Sequence, residues 1–308
     1  AFAMVHTVTF NPAIDYVVQT DEMTAGTVNR AKSADIFFGG KGINVSILLN
    51  ELGIKSRALG FTAGFTGEAI EKGIAEKGIE TDFVRLENGF SRINVKIRSG
   101  VSGTETELNG QGPAVGKEDL VSFFRRLDRI EDGDTVVLAG SIPGSMSPDI
   151  YEKILGYLQN DRGKNISAVA DAAGNLLLNV LKYKPFLVKP NNFELGEMFG
   201  VTLDTKEDIE KYARRLRDMG ARNVLVSMAG DGALLLNENG VTHSCGACRG
   251  TVKNSVGAGD SMVAGFIAGY EQGGYEYALK LGTAAGGATA FSEGIGKRED
   301  IYRLLEQL

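Results

Sequence analysis

The chain contains few of the residues that build metal sites and disulfides. Among its 308 residues are two cysteines, two histidines and six prolines. His243, Cys245 and Cys248 stand close together, but a structural zinc site usually needs a second pair of ligands, which the sequence does not offer. A redox-active pair typically opens a helix after a strand, which is a different context. We therefore expect no metal or redox site at these residues, and a cytoplasmic location.

Long apolar runs and a basic character are also missing. No segment approaches the roughly 20 apolar residues that cross a bilayer, and no pattern typical of a signal peptide is visible. The net charge of −6 argues against a surface that binds nucleic acid or membrane, so an anionic ligand needs local basic residues. The 41 glycines suggest tight turns between strands and helices, and backbone that approaches ligands closely.

Short apolar runs alternate with helical patterns through most of the chain. Strands are predicted at residues 5–10, 55–60, 135–138, 167–170, 186–188 and 224–227. Helices are predicted at residues 42–52, 67–77, 147–159, 206–219, 262–270 and 276–290. Repeated strand–helix units predict an α/β fold in which helices cover both faces of a mostly parallel sheet.

One part of the chain breaks this rhythm. In residues 92–98, one side of the predicted strand consists of Ile93, Val95 and Ile97, and the other of Arg92, Asn94, Lys96 and Arg98. A turn at 99–103, a returning strand at 104–108 and strands at 16–20 and 31–38 complete a predicted small antiparallel sheet, inserted into the α/β fold. Its basic side either covers an anionic ligand or is solvated. For Lys96 and Arg98 we expect that the side chains are solvated.

Residues 254–261, with the sequence Asn-Ser-Val-Gly-Ala-Gly-Asp-Ser, predict a glycine-bearing turn that opens a helix. Gly257 and Gly259 let the backbone direct its amides toward one point at the positive end of the helix. Such a turn beside the carboxylate of Asp260 fits phosphoryl transfer, because the amides hold phosphoryl oxygens while the carboxylate accepts a proton from the attacking hydroxyl. An ordinary helix N-terminus with an acidic first turn is the alternative.

Two common nucleotide-binding signatures are absent from the sequence. It contains no GxxxxGK[ST] loop, and no GxGxxG follows the first predicted strand. Four other segments, at residues 11–15, 38–46, 188–194 and 227–232, carry glycine, lysine, amide or carboxylate groups near the ends of strands. Because ligands of parallel α/β sheets bind at the carboxyl ends of the strands, these segments predict one shared ligand site.

These motifs resemble those of the ribokinase/PfkB carbohydrate kinases, and within them the branch of 1-phosphofructokinases and tagatose-6-phosphate kinases. The sequence Gly39-Gly40-Lys41-Gly42-Ile43-Asn44 and residues 254–261 match the two family signatures in the family's order. The resemblance runs over nearly the whole chain. It implies one ribokinase-like α/β domain at residues 4–308, with a small antiparallel β lid from about residues 11–38 and 91–110. In the family this lid often forms dimer contacts.

The resemblance also implies roles for the matching residues. Asp260 would be the catalytic base, and the amides of Gly257, Ala258 and Gly259 the anion hole. The substrate would be bound by Asp15, Gly39, Gly40 and Asn44 at the sugar hydroxyls, and by Lys41 and Arg92 at the phosphate. ATP would be bound by Lys189, Asn191, Ser227, Gly230, Gly232 and Asn254. Glu194 and Asp171 would hold Mg²⁺ through water. From the residues alone, Asn44 also fits a turn cap, and Glu194 a charge at a helix terminus.

The position of positive charge in the sequence indicates which phosphosugar is the substrate. Relatives that use fructose 6-phosphate tend to carry glycine at the position of Lys41 and lysine where Val28 aligns. The resemblance therefore implies ATP-dependent phosphorylation of fructose 1-phosphate to fructose 1,6-bisphosphate. A tagatose-6-phosphate kinase and a non-catalytic sugar-phosphate-binding regulator on the same fold remain the alternatives.

Overall fold

A computed structural model describes residues 3–308, in which helices surround two sheets. In chain order the strands are β1 (Val5–Thr9), β2 (Ala13–Thr20), β3 (Ser33–Gly39), β4 (Ser56–Ala63), β5 (Glu80–Leu86), β6 (Arg92–Ser99), β7 (Glu105–Leu108), β8 (Thr135–Ala139), β9 (Ser167–Asp171), β10 (Leu187–Val188), β11 (Asn223–Ser227), β12 (Ala233–Leu236) and β13 (Thr242–Cys245). The helices are α1 (Lys41–Glu51), α2 (Gly64–Glu76), α3 (Lys117–Leu127), α4 (Ile150–Gly156), α5 (Gly174–Val180), α6 (Asn192–Phe199), α7 (Lys206–Asp218), α8 (Ala258–Gly273), α9 (Tyr275–Ala290) and α10 (Arg298–Leu305).

The larger sheet has nine strands in the order β13-β12-β11-β10-β9-β8-β1-β4-β5. All neighbours from β11 to β5 pair in parallel, whereas β12 and β13 are antiparallel. Helices cover both faces, as alternate residues of β8 show: Val136 and Leu138 pack on one face and Val137 on the other. The predicted α/β fold with a mostly parallel sheet is confirmed.

The smaller sheet has four strands in the order β3-β2-β6-β7. Its outer pairs are antiparallel as predicted, but β2 and β6 run parallel to each other. We call this sheet the lid. Its inner face carries Val17, Asn94 and Lys96, which are buried, and its outer face carries Ile36 and other exposed apolar side chains.

The expectation that Lys96 and Arg98 are solvated was wrong. Lys96 is 7% exposed, and the side chain of Arg98 is enclosed by ion pairs with Glu105 at 3.3 Å and Glu293 at 2.7 Å. The period-two pattern identified the two faces of β6 correctly. The charged face points inward because it covers a cavity instead of an apolar core.

Several element boundaries differ from the sequence-based predictions. The helix predicted at 147–159 is α4 followed by a π-helical turn at Tyr157–Asp161. After β11 the chain does not form a helix but adds the antiparallel strands β12 and β13. Cys245 lies in β13, and both cysteines are free thiols. Among residues 3–308, no helix combines the length and apolar character needed to span a bilayer.

Candidate active site

The site lies where α1 and α8 begin, at the carboxyl ends of the central strands. Gly40, with φ of 122°, precedes α1, and a side chain there would collide with Thr9 at the end of β1. Gly257, with φ of 84°, precedes α8 and takes the left-handed conformation that favours glycine. Because α1 and α8 pack against each other, the two glycine turns of the sequence motifs come together in space.

Asp260 lies in the first turn of α8 and is 3% exposed. Its Oδ2 accepts a hydrogen bond from Nδ2 of Asn44 at 3.0 Å, and its Oδ1 lies 2.9 Å from Nζ of Lys41. Burial raises the pKa of Asp260, which Lys41 and Asn44 oppose and which the nearby carboxylate of Asp171 reinforces. The carboxylate is thus held in a fixed orientation, and its raised proton affinity suits a general base.

Lys41 belongs to a row of alternating charges at this site. Its Nζ lies 3.4 Å from Oδ2 of Asp171, whose Oδ1 is 3.7 Å from Nζ of Lys189. Burial lowers the pKa of Lys41, but the carboxylates of Asp171 and Asp260 outweigh burial, and the pKa is raised overall. The side chain of Lys41 therefore contacts the predicted base, and the ammonium group is charged.

The three amides predicted to form an anion hole lie at the start of α8, where Gly257 precedes the helix and Ala258 and Gly259 are its first residues. The amide of Ala258 donates a hydrogen bond to the Ser255 carbonyl at 3.2 Å, so one of the three predicted amides is already engaged. Lys189 approaches this turn closely, because a Cβ placed on Gly259 would lie 3.2 Å from its Nζ. An ammonium group beside the amides adds positive charge where phosphoryl oxygens would bind.

A cavity of about 390 Å³ lies between the lid and the start of α8. We call it the sugar-side cavity, after the role that the sequence predicts for Asp15 and Asn44, which line it. Asn254, which was predicted at the ATP site, lines the same cavity. Oδ1 of Asp15 accepts a hydrogen bond from Nδ2 of Asn94 at 3.1 Å, and burial raises the pKa of Asp15. A side chain at Gly39 would collide with the Asp15 carboxylate, so the glycine motif of the sequence leaves room for this group.

Arg92 begins β6, opposite Ala13 of β2. Its Nε donates a hydrogen bond to the Asn11 carbonyl at 3.1 Å, and burial lowers its pKa. Among residues 3–308, no carboxylate oxygen lies within 4.0 Å of its guanidinium group. Arg92 therefore keeps donors for an anion at the start of the lid.

A second cavity, of about 460 Å³, lies on the other side of the α8 turn. We call it the nucleotide-side cavity, after the role that the sequence predicts for four of its lining residues, Asn191, Ser227, Gly230 and Gly232. Lys189, which was predicted at the same site, lies at the row of charges instead. Sequence reasoning missed the further lining residues Cys248, Met262, Thr283, Gly287 and Phe291. The small-residue pattern of α9, which leaves space beside α8, was the signal that could have found some of them.

Glu194 and Asp171 are the two residues predicted to hold Mg²⁺ through water. Oε1 of Glu194 accepts a hydrogen bond from the Asn191 amide at 3.0 Å, and Oδ1 of Asn191 accepts one from the Glu194 amide at 2.7 Å. Oδ2 of Asp171 is buried without a hydrogen-bond partner. In the described chain no cluster of three or more His, Cys, Asp or Glu side chains could hold a metal directly. The buried carboxylate of Asp171, whose Oδ2 makes no hydrogen bond and lies 3.4 Å from Nζ of Lys41, and a second carboxylate at a helix start fit a hydrated Mg²⁺ that is held through water.

Comparisons with known proteins identify the family of this chain. Residues 8–300 match the pfkB family carbohydrate kinases. The chain is 46% identical to a 1-phosphofructokinase of Bacillus subtilis over 99% of this chain and 98% of the relative. It is 37% identical to a D-tagatose-1-phosphate kinase of Bacillus licheniformis over 99% and 98%. The crystal structure of phosphofructokinase-2 from Escherichia coli in complex with substrates and products has the same fold, with a TM-score of 0.91 at 24% identity, covering 100% and 99% of the two chains. The chain therefore belongs to the pfkB family of carbohydrate kinases.

Proposed function

We propose that this protein is a 1-phosphofructokinase, which transfers the γ-phosphoryl group of ATP to O6 of fructose 1-phosphate. The observation that carries the proposal is the place of Asp260. Its partner Asn44 lines the sugar-side cavity, and its neighbours Ala258 and Gly259 line the nucleotide-side cavity. A buried carboxylate between an acceptor site and a phosphate site is suited to phosphoryl transfer.

The residues of this chain divide the chemistry among them. Asp260 would accept the proton of the O6 hydroxyl while O6 forms its bond to the γ-phosphorus and the bond to the β-phosphate oxygen breaks. The amides of Gly257, Ala258 and Gly259, with Lys189, would hold the transferring phosphoryl oxygens. Asn191, Ser227, Gly230 and Gly232 would bind the nucleotide. When bound, Mg²⁺ would neutralise phosphate charge, held through water by Asp171 and Glu194.

The acceptor side would hold the sugar by its hydroxyl groups. Asp15, with Asn94 behind it, and the glycine turn at Gly39 and Gly40 leave a polar corner for these hydroxyls. Lys41 and Arg92 remain the proposed partners of the substrate phosphate, although Lys41 contacts Asp260 in the substrate-free site. Closure of the lid over the cavity would exclude water and limit the hydrolysis of ATP.

A second candidate substrate is D-tagatose 1-phosphate, which differs from fructose 1-phosphate only in the configuration at C4. It is supported by the 37% identical relative that is named for it. This relative is named for a 1-phosphate, as the fructose enzymes are, which speaks for the 1-phosphates over the tagatose 6-phosphate considered from the sequence. A non-catalytic regulator is disfavoured, because the family is one of kinases.

We also include a homodimer in the proposal. The outer lid face exposes apolar side chains, of which Ile36 is 62% exposed and Tyr16 and Ile93 are also exposed. Adjacent apolar side chains on one sheet face are typical of an interaction surface, and a second lid would match it by symmetry.

Since ATP is a metabolite of the cytoplasm, the expected cytoplasmic location stays part of the proposal.

The substrate proposal is tested with one coupled assay. The purified protein is given saturating ATP and Mg²⁺ with fructose 1-phosphate, D-tagatose 1-phosphate, fructose 6-phosphate or tagatose 6-phosphate in turn. We expect the highest kcat/KM for fructose 1-phosphate and the next highest for its C4 epimer. A higher kcat/KM for either 6-phosphate would contradict the proposal, while leaving the family intact.

A further inference from the structure

The geometry points to Lys96 as a further residue, beside Lys41 and Arg92, that binds the phosphate group which the substrate already carries. This inference rests on the proposed function and deepens it, since it assigns the specificity for a phosphorylated sugar to a lysine for which only a solvated position was expected. Lys96 lies on the inner face of the lid, in β6, and its side chain lines the sugar-side cavity.

The first observation is that Lys96 is buried without a partner. It is 7% exposed, and in the described chain no carboxylate oxygen lies within 4.0 Å of its Nζ and no hydrogen bond engages it. Its Nζ is not among the side-chain atoms that are sealed from solvent without a partner, so the tip of the side chain is accessible while the rest is buried. A charged group so enclosed, with no counter-charge in contact, is normally completed by an ion pair. The cavity that Lys96 faces is where an anion can supply the missing charge.

The second observation is that the other cations around the cavity, apart from Arg92 at the start of β6, are exposed or occupied. Arg98, one step further along the same face of β6, is paired with Glu105 and Glu293. Lys297 lies 3.6 Å from Glu51, and Lys77 is exposed at the rim. Of the four cations that these positions provide, Lys96 alone is both buried and unpaired.

The third observation is the place of Lys96 relative to the sugar groups. Asn94, two residues earlier on the same face of β6, binds the carboxylate of Asp15. Two residues of a strand span about 7 Å, so the hydroxyl-binding corner and the ammonium group lie side by side along one strand. The Lys96 charge also acts on Asp15, where it opposes the rise of that carboxyl's pKa. A sugar held by Asp15 could thus present an anionic substituent to Lys96.

The assignment predicts a specific loss in the variant Lys96→Met, which keeps a long side chain and removes the charge. A charge-assisted hydrogen bond to phosphate is strong, so KM for fructose 1-phosphate should rise about 10- to 100-fold. KM for ATP should change less than about twofold, because the nucleotide-side cavity is untouched. The preference for fructose 1-phosphate over unphosphorylated fructose, measured as the ratio of kcat/KM values, should fall by a similar factor.

A binding measurement without ATP separates this role from an effect on catalysis. Wild type, Lys96→Met, Lys96→Arg and the matched control Lys77→Met are titrated with fructose 1-phosphate in a calorimeter. Only Lys96→Met should lose affinity about 10-fold or more, and Lys96→Arg should keep much of it, because it retains the charge. Without ligand, Lys96→Met should melt no lower than wild type, since the substitution removes an ammonium group that has no counter-charge in contact with it.

The outcomes distinguish this inference from the proposed function. Unchanged affinity for fructose 1-phosphate in a folded Lys96→Met variant would overturn the role of Lys96, even if the wild type is an efficient 1-phosphofructokinase. Conversely, a wild type that binds fructose 1-phosphate without phosphorylating it would contradict the proposed function, whereas a loss of that binding in Lys96→Met would still support the role of Lys96. If Lys96→Met does not fold, Lys96→Gln provides the same comparison.

Discussion

Nζ of Lys41 lies 2.9 Å from Oδ1 of Asp260, so the site holds its base against a cation before any substrate binds. The same ammonium group lies 3.4 Å from Asp171. The ammonium group of Lys41 thus lies close to two carboxylates, and its charge offsets part of the rise that burial causes in the pKa of Asp260. Lys41 thereby influences the pH at which the base becomes ionised, besides any contact with the substrate phosphate.

We expect the variant Lys41→Met to move the acidic limb of the pH dependence of kcat/KM to higher pH. Removing the neighbouring cation disfavours the carboxylate form of Asp260, so its pKa rises further and more alkaline solution is needed to ionise it. A nearby opposite charge shifts a carboxyl pKa by about 1–3 units, which sets the size of the effect. The profile of log(kcat/KM) is measured from pH 5 to 9 at low phosphosugar concentration, because this quantity reports on the free enzyme. The control Lys297→Met removes a cation that is paired with Glu51 instead, and an unshifted limb in Lys41→Met would contradict the electrostatic role.

The variant Asp260→Asn should keep its fold and its affinity for ATP but lose turnover. Asparagine has nearly the same shape and can still contact Asn44, but it cannot accept the proton of the attacking hydroxyl. Loss of a general base lowers the rate by about 10²- to 10⁴-fold. Turnover is measured under saturation, with ATP binding and thermal melting as controls, and Asp231→Asn serves as a matched substitution in the turn before β12. Activity near that of wild type would remove Asp260 from its assigned role.

Arg92→Ala should raise KM for the phosphosugar far more than KM for ATP. The guanidinium group is partly buried at the start of the lid and has no carboxylate partner, so its remaining donors are available for an anion. Loss of a charge-assisted contact costs about 1.5–3 kcal/mol. Both KM values are obtained from initial rates at fixed saturating concentrations of the other substrate. If both rise equally, the substitution acts through the fold of the lid and not through a substrate contact.

The proposed dimer predicts that one charge on the outer lid face changes the oligomeric state. Ile36→Glu places a carboxylate on the exposed apolar surface, in the edge strand β3, where a partner subunit would bury it without a counter-charge. We expect sedimentation or light scattering to show a smaller particle for this variant than for wild type at the same concentration. The matched control is Val121→Glu, which changes an exposed apolar residue of α3 away from the lid. A wild type that is monomeric at all concentrations would contradict the proposed dimer.

Much of the site was predictable because its residues lie in motifs with a defined backbone geometry. The glycines before α1 and α8 fix the turns, and the packing of these helices brings the two turns together, so Asn44 donates a hydrogen bond to Asp260. The positions of long side chains were not predictable in the same way. Lys41 reaches the base across a gap between two helices, which no local pattern encodes.

The lid shows a second limit of sequence-based reasoning. Alternation in β6 separates two faces, but it does not tell which face is buried, and the usual rule places the apolar face inside. Here the inner face covers a cavity that charged and polar side chains help to line, so Lys96 is buried while Ile93 is exposed. The antiparallel strands β12 and β13 were missed for a related reason: the buried run Ala233–Leu236 shows no alternation, and its strand direction depends on its neighbour.

The two histidines of the chain differ in their surroundings. A comparison of variants at the two positions therefore tests how buried His6 affects the pH dependence of stability. His6 is 1% exposed in β1, and its Nε2 lies 2.9 Å from Oδ2 of Asp134. Asp134 also accepts hydrogen bonds from the amides of Met4 at 3.1 Å and Glu131 at 2.9 Å. Burial lowers the pKa of His6 below its ordinary value of 6.5, although the contact with Asp134 opposes the shift. Buried His6 therefore resists protonation in the folded protein.

The low pKa of His6 predicts that the free energy of unfolding decreases as the pH falls below about 6.5. In that range the unfolded chain protonates His6 while the folded chain does not, so protons favour the unfolded state, by at most about 1.4 kcal/mol per pH unit. The loss continues until the pH reaches the lower pKa of the folded state, and it is absent above 6.5. Urea unfolding between pH 8 and 5 should show a smaller decrease for His6→Gln than for wild type, because glutamine can donate to Asp134 without titrating. His243→Gln is the matched control, since His243 is only partly buried, in the edge strand β13. Equal pH dependence of wild type and His6→Gln would show that other groups account for the loss of stability in acid.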